Sequence, residues 1–266
     1  AEAISWLRIT FDLPANTDLE DLGPLQDDLR IQRGREFWEL GLYNEARLEF
    51  ESLRTDVSQS AADSFRLANY MRNLGLYRPA IFAARQVLEL AGMESHADSL
   101  HAPAYFDHIR YGTYYSDLVE PIATANDFHP LFIYSVMRQE SLFEGFVLST
   151  AGARGLMQVI PATGITIANL HGYPVAYIDS DLYRPIISIK FGTWYLASNR
   201  TLFDGDIYAT LAAYNGGPGN AIEWQALSKG DPDLLLESIR FSETREYIKS
   251  IYETYAIYKS IYGDTR

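Results

Sequence analysis

The 266 residues carry a formal charge of −13 and no cysteine. That excess of carboxylates argues against nucleic acid or an anionic membrane surface as a partner, and the missing thiols exclude disulfides, cysteine nucleophiles and cysteine-ligated zinc. With 47% apolar and 21% charged residues, the chain can bury a real core in one large domain or two ordinary ones, and no apolar run approaches the roughly 20 residues of a membrane span.

No signal peptide is visible, and Ala1 stands where an initiator Met would be, so the sequence is read as starting after processing or truncation. Residues 1 to 29 are rich in turn formers, as in Leu13-Pro14-Ala15-Asn16 and Leu22-Gly23-Pro24; a short helix, a loop and a helical segment from near Leu25 are expected. Leu40-Gly41-Leu42-Tyr43 then recurs as Leu74-Gly75-Leu76-Tyr77, an offset of 34 residues, the period of a tetratricopeptide helix pair. Gly34 aligns with Ala68, Phe37 with Met71 and Ala46 with Ala80, and Pro79 falls where a second helix begins. Two copies are few for a stacked array. Either they pack on the rest of the chain or further repeats precede Ala1. The polar stretch Met93 to Pro103 reads as a junction, so the expected division is 1–102 for the repeats and junction and 103–266 for a second domain.

The second part reads as helical throughout: Tyr114 to Ala125, a helix opened by Pro130, Ile165 to Leu170, Ile186 to Asn199, Ile207 to Tyr214, and a long amphipathic helix marked by Tyr247, Ile248, Ile251, Tyr255 and Tyr258. No sustained period-two alternation is present, so an all-α chain is expected. Its organising stretch is Tyr134 to Gly164, in which a helix runs into a glycine-punctuated loop and then a further helix. Glu140 sits near the end of the first helix, which Gly145 is expected to stop. The negative end of the helix dipole, and burial by Met137 and Phe143, favour its neutral form and prepare it to donate a proton.

Arg138-Gln139-Glu140-Ser141, Ser149, Gly152, Gly155-Leu156-Met157-Gln158 and Pro161 resemble the signature of the soluble lytic transglycosylases, glycoside hydrolase family 23. Ala212-Ala213-Tyr214-Asn215-Gly216-Gly217-Pro218-Gly219 and Phe241-Ser242-Glu243-Thr244-Arg245-Glu246-Tyr247 match in the same order, so the resemblance covers about half the chain. It implies a lysozyme-like helical catalytic domain preceded by an α-superhelix, and a periplasmic or cell-envelope location. The implied reaction is non-hydrolytic cleavage of the bond between N-acetylmuramic acid and N-acetylglucosamine in peptidoglycan. In such enzymes one glutamate, here Glu140, acts as acid and then as base. It takes the proton from the sugar's own 6-hydroxyl as a 1,6-anhydro ring closes, and the substrate's N-acetyl group stabilises the cation. Ser149, Gln158, Tyr214, Asn215 and Glu243 match positions expected to bind the sugar, with Tyr214 and Asn215 opening a loop beside the cleft. Read without the family, Ser149 is a turn-forming hydroxyl, Gln158 a helix-surface amide, Tyr214 a packed ring and Glu243 a partner for Arg245.

The common two-carboxylate scheme needs a partner across the bond. Glu144, one turn on if the helix continues, could not straddle a sugar from there. Two departures from the family pattern stand out. A small or polar residue, one more residue and then a proline usually follow the glutamate-serine pair in the family, where this chain has Leu142-Phe143-Glu144-Gly145-Phe146; and Arg154 occupies a position where a small residue is commoner. No metal or other cofactor is expected: the five histidines show no His-Glu-x-x-His spacing, the Gly216 to Gly219 run lacks the strand and Lys-Ser/Thr context of a phosphate loop, and no Gly-x-Ser-x-Gly elbow occurs. Three functions remain: a lytic transglycosylase, a hydrolytic muramidase of goose-lysozyme type, and a non-catalytic peptidoglycan-binding scaffold. Peptidoglycan strands are the expected partner, with cell-envelope proteins on the helical repeats.

Overall fold

The computed structural model describes residues 1–263, all helix, turn and loop apart from isolated bridges joining Leu148 to Arg154 and Arg154 to Val159. The chain divides into two compact units between Thr113 and Tyr114; the expected junction at 102/103 lies before that point.

In the first unit, α1 (Glu2–Thr10) is followed by a loop and a 3-10 turn, Gly23–Asp27. Two helical hairpins come next, α2 (Leu29–Glu39) with α3 (Tyr43–Asp56) and α4 (Ala61–Leu74) with α5 (Tyr77–Leu90). Short α6 (His96–Ser99) and α7 (Ala104–Arg110) complete it, α7 packing on α5. Both hairpins turn in the same way. Gly41 and Gly75 adopt positive φ, and the next residue donates back across the turn, Leu42 N–H to Phe37 O at 2.8 Å and Leu76 N–H to Met71 O at 2.9 Å. These bonds satisfy the last helix carbonyls, which is why a glycine recurs there. Close approach of α2 and α3 requires Gly34: a Cβ at that position would lie 2.7 Å from the Phe50 ring. Ala46, Ala68 and Ala80 are buried, and Phe50, Leu53, Met71 and Val87 fill the space between the helices. Each such side chain contributes roughly 1.5–3 kcal/mol on burial.

The second unit is built around α9 (Pro130–Ser141), which packs on α8 (Ser116–Ala125) and on α15 (Ser242–Tyr262). Between them in sequence come α10 (Pro161–His171), α11 (Pro185–Leu202), α12 (Ile207–Gly216), α13 (Pro218–Ser228) and α14 (Pro232–Ser238), with a 3-10 turn at Asp179–Tyr183. Pro130 occupies the first helical position of α9, and His129 Nδ1 caps it by accepting the Leu131 N–H at 3.1 Å. Ile133, Val136 and Met137 are wholly buried, so the helix is apolar nearly all round, as a central helix must be.

The end of α9 differs from the sequence reading. It stops at Ser141, not at Gly145: Leu142 and Phe143 both take left-handed backbone, φ 50° and 64°. Non-glycine residues pay a steric cost there, and the compensation is tertiary. Phe143 is completely buried with its ring edge-on to Tyr114 at 5.1 Å. Ser141 Oγ also donates to Leu156 O at 2.9 Å, tying the helix end to the following loop. Glu144 lies beyond the helix and is buried.

Candidate active site

A cleft of about 500 Å³ opens in the second unit, and Glu140 lines it from the last turn of α9. The residue as a whole is half-buried, and its carboxyl is the desolvated part. Tyr247, itself buried on α15, donates its phenol O–H to Glu140 Oε1 at 2.5 Å. Burial pushes the carboxyl up from 4.5 to about 8; the Tyr247 hydrogen bond pulls the other way, and the charge of Glu243 adds to the rise. At neutral pH the group is therefore mostly a neutral acid. With Oε1 accepting from the phenol, the other oxygen is left to carry the proton.

All the residues named from the sequence line this one cleft: Glu140, Ser149, Gln158, Tyr214, Asn215 and Glu243. Their settings differ in part from those expected. Ser149 Oγ accepts the Ala153 N–H at 3.0 Å and so closes its turn, keeping its own proton available. Gln158 is not on a helix; it has left-handed backbone, φ 47°, and its amide donates to Gly155 O at 2.9 Å and Val147 O at 3.3 Å. With that N–H₂ occupied, its carbonyl oxygen is the part left for a ligand. Tyr214 and Asn215 belong to the last turn of α12 and do not open a loop. The Tyr214 phenol donates to Met157 O at 2.7 Å, and Asn215 Oδ1 accepts from Thr244 Oγ1 at 2.6 Å. Burial and the nearby Glu140 charge hold the Tyr214 phenol protonated far above neutrality. Glu243 is exposed in the first turn of α15. Arg245, the neighbour considered for it, donates instead to Ile239 O.

The loop that carries these groups is seated by small residues. Met157 N–H donates to Ser188 Oγ at 3.1 Å, and a Cβ on Gly192 would lie 2.4 Å from Met157 Cβ. At Gly155 a Cβ would meet Leu182 O at 2.0 Å, and φ is +74°.

The sequence reading missed the second role of α15. Taken as a core helix, it buries Ile248, Ile251 and Tyr258, but Glu243, Glu246, Tyr247 and Ser250 all line the cleft. Their spacing of three, four and seven puts them on one helical face. That polar face was the available signal; Tyr247 was hidden because a tyrosine in an apolar stripe looks like packing. The described lining residues include three glutamates and no Lys, Arg or His, so the cleft carries a negative field. Among the described residues no group of three or more His, Asp or Glu side chains is placed to hold a metal ion.

The family model described as the transglycosylase SLT domain matches residues 117–235. The chain is 30% identical over 255 residues to the soluble lytic murein transglycosylase of Escherichia coli K12, covering 94% of this chain and 36% of that protein. The corresponding Salmonella typhimurium protein is 30% identical over 254 residues, with the same coverage. The chain thus spans about a third of the length of the curated relatives it matches. Among solved structures, the 70 kDa soluble lytic transglycosylase of E. coli superposes with a TM-score of 0.76 at 28% identity, covering 95% of this chain and 38% of that one. The Pseudomonas aeruginosa lytic transglycosylase Slt, solved as an inactive glutamate-to-glutamine mutant, gives 0.72 at 25% identity, with 95% and 40% coverage. The all-α second unit is therefore lysozyme-like, and residues 117–235 match the model of the transglycosylase SLT domain.

Proposed function

We propose that this chain is a peptidoglycan lytic transglycosylase, with Glu140 as its acid and then its base. The observation that carries this reading is the Glu140 carboxyl itself: on the cleft wall, neutral near pH 7, and hydrogen-bonded by an uncharged phenol. The protonated oxygen gives its proton to the glycosidic oxygen as the bond to C1 breaks and positive charge builds on the muramic ring. Glu243 and Glu246 supply a field that favours that cation. The Glu140 carboxylate, now charged, takes the proton of the 6-hydroxyl, whose oxygen closes on C1. The acid is regenerated, a 1,6-anhydro sugar is the product, and no water is consumed. Ser149, the Gln158 carbonyl, Tyr214, Asn215 and Glu243 are the groups proposed to orient the glycan. The relatives' names support the substrate, since they are murein transglycosylases.

The first unit is proposed as a tetratricopeptide-like scaffold that engages cell-envelope partners, and the protein as periplasmic. A hydrolytic muramidase is the second reading, favoured by one observation: Glu243 faces the same cleft as Glu140 and is available to activate a water. Mass spectrometry of digested sacculi decides between them. Products lighter by one water than reducing muropeptides are expected; reducing ends alone would establish hydrolysis, and undigested sacculi would leave a binding scaffold.

A further inference from the structure

Residues 147–159 fold back on themselves as a miniature ladder. Gly155 N–H donates to Val147 O at 3.0 Å, Ser149 N–H to Ala153 O at 2.9 Å, and Arg154 and Val159 exchange bonds at 3.1 and 3.2 Å. Arg154 is in the middle segment, bridged to Leu148 on one side and Val159 on the other. Successive side chains of an extended segment point to opposite faces. Ala153 lines the cleft, so Arg154 is directed behind it. There its guanidinium stands 3.6 Å from Asp179 Oδ2 and 5.9 Å from the centre of the Tyr183 ring, both on the 3-10 turn. Its Nε–H is buried and has no hydrogen-bond partner among the described residues. An arginine held only by its charge would turn that N–H to water and avoid the desolvation cost; this one stays inward.

We propose that Arg154 is a positioning residue: clamped between Asp179 and Tyr183, it anchors from behind the loop that presents Ser149, Ala153 and Gln158 to the Glu140 cleft. The inference rests on the reading of that cleft as the glycan site. A second anchor, the Gly155 to Met157 seam against Leu182 and Ser188, holds the base of the loop. The ladder bonds join the arm that carries Ser149 and Ala153 to that base, and Arg154 adds a side-chain attachment to the same 3-10 turn.

The test compares the unaltered 266-residue chain with Arg154→Ala, Arg154→Lys and Asp179→Asn. Asp179→Asn removes the carboxylate without altering the loop, so it reports even if Arg154→Ala folds poorly. Amide exchange of residues 147–159 is expected to rise about tenfold in Arg154→Ala while α9 is unchanged. KM for purified sacculi is expected to rise about fivefold with kcat within about twofold. Asp179→Asn moves both in the same direction by less, and Arg154→Lys, keeping charge without the planar fork, falls between. A merely structural role would lower kcat through the folded fraction and leave KM alone; that result, or unchanged loop exchange in both Arg154→Ala and Asp179→Asn, overturns the proposal. Should the unaltered chain leave sacculi uncut, the transglycosylase reading fails separately. Loop exchange and the binding of an N-acetylglucosamine tetramer then decide the role of Arg154 by the same criteria.

Discussion

Asp28 in the first unit and Glu140 in the second are both helix-end carboxylates, held in opposite states. Asp28 caps α2, accepting from Arg30 N–H at 2.8 Å and from the Arg30 guanidinium, and its pKa is held below the usual carboxylate range, chiefly by that side-chain bond. Glu140 accepts from an uncharged phenol in a desolvated cleft and is pushed up to about 8. Asp107 of the first unit lies between them. Burial raises it, while Arg110 at 3.5 Å and His96 pull it down. Burial raises an acid and a cationic partner lowers it, and the balance of the two sets its state. Backbone follows the same division. In the first unit Asp12 alone among described non-glycine residues has positive φ, whereas the second unit holds Leu142, Phe143 and Gln158 there, all next to the cleft. Left-handed non-glycine residues are thus rare in the first unit and recur through the second, at Tyr115, Asp127, Ala176, Asp204 and Lys229 as well as beside Glu140.

The severest break of this contrast is Glu140→Gln. Turnover of sacculi is expected to fall about 10³-fold, the scale of a lost general acid, with glycan binding retained. Stability should move the other way. A carboxyl whose folded pKa is raised from 4.5 to about 8 contributes fully below the lower value, and that contribution is lost as pH rises through the higher one. The variant, which cannot ionise, should match the parent at pH 4 and exceed it by roughly 2 kcal/mol at pH 7. Equal melting temperatures at pH 7 would mean that Glu140 is not desolvated.

Gly155→Ala comes next. Its Cβ would meet Leu182 O at 2.0 Å at φ +74°, and neither the carbonyl nor the turn can yield cheaply. A loss of about 3 kcal/mol in denaturant unfolding is expected; a loss below about 1 kcal/mol would show that the loop base is not fixed there.

Much of this was legible in the residues. The repeated Leu-Gly-Leu-Tyr element marked both hairpin turns because a left-handed C-cap needs glycine. Pro130 marked the start of α9, and the tyrosine-isoleucine stripe marked α15. The motif blocks brought Ser149, Gln158, Tyr214, Asn215 and Glu243 to the same cleft as Glu140, although nothing local in their sequence requires that meeting. What stayed hidden was tertiary. The helix stop at Ser141 goes with the burial of Phe143, and a left-handed pair at Leu142 and Phe143 ends the helix before the expected Gly145. Tyr247 is both packing and partner, and periodicity reports only the first. The direction of Arg154 follows from a ladder too short to give an alternating pattern.

Tyr247→Phe sharpens the comparison at smaller cost, because it leaves Glu140 buried but without its donor. The phenol stabilises the carboxylate and so lowers the pKa; removing it raises the pKa further. kcat/KM at pH 7 should fall about tenfold through lost orientation, while the alkaline limb, near pH 8 in the parent, moves upward. A limb that stays in place or moves down would show that the hydrogen bond does not tune the acid.

Asp28→Asn is the mildest change and tests the other side of the contrast. Asparagine keeps an oxygen that can accept the Arg30 N–H, so the α2 cap survives. What is lost is the charge facing Arg30, which also reaches Asp56 at 2.5 Å. The expected loss is about 0.5–1 kcal/mol, the range of a part-exposed pair, with turnover unaltered. Its pH dependence has the opposite sign to that of Glu140→Gln. A carboxylate with a lowered folded pKa contributes stability above its ordinary value and loses it as pH falls through the lower one. The difference between Asp28→Asn and the parent should therefore be full at pH 7 and close below about pH 4. That is the same direction of closing as for Glu140→Gln, but with the variant below the parent instead of above it, so one pair of melting curves distinguishes a carboxylate held by its partner from one held by its burial.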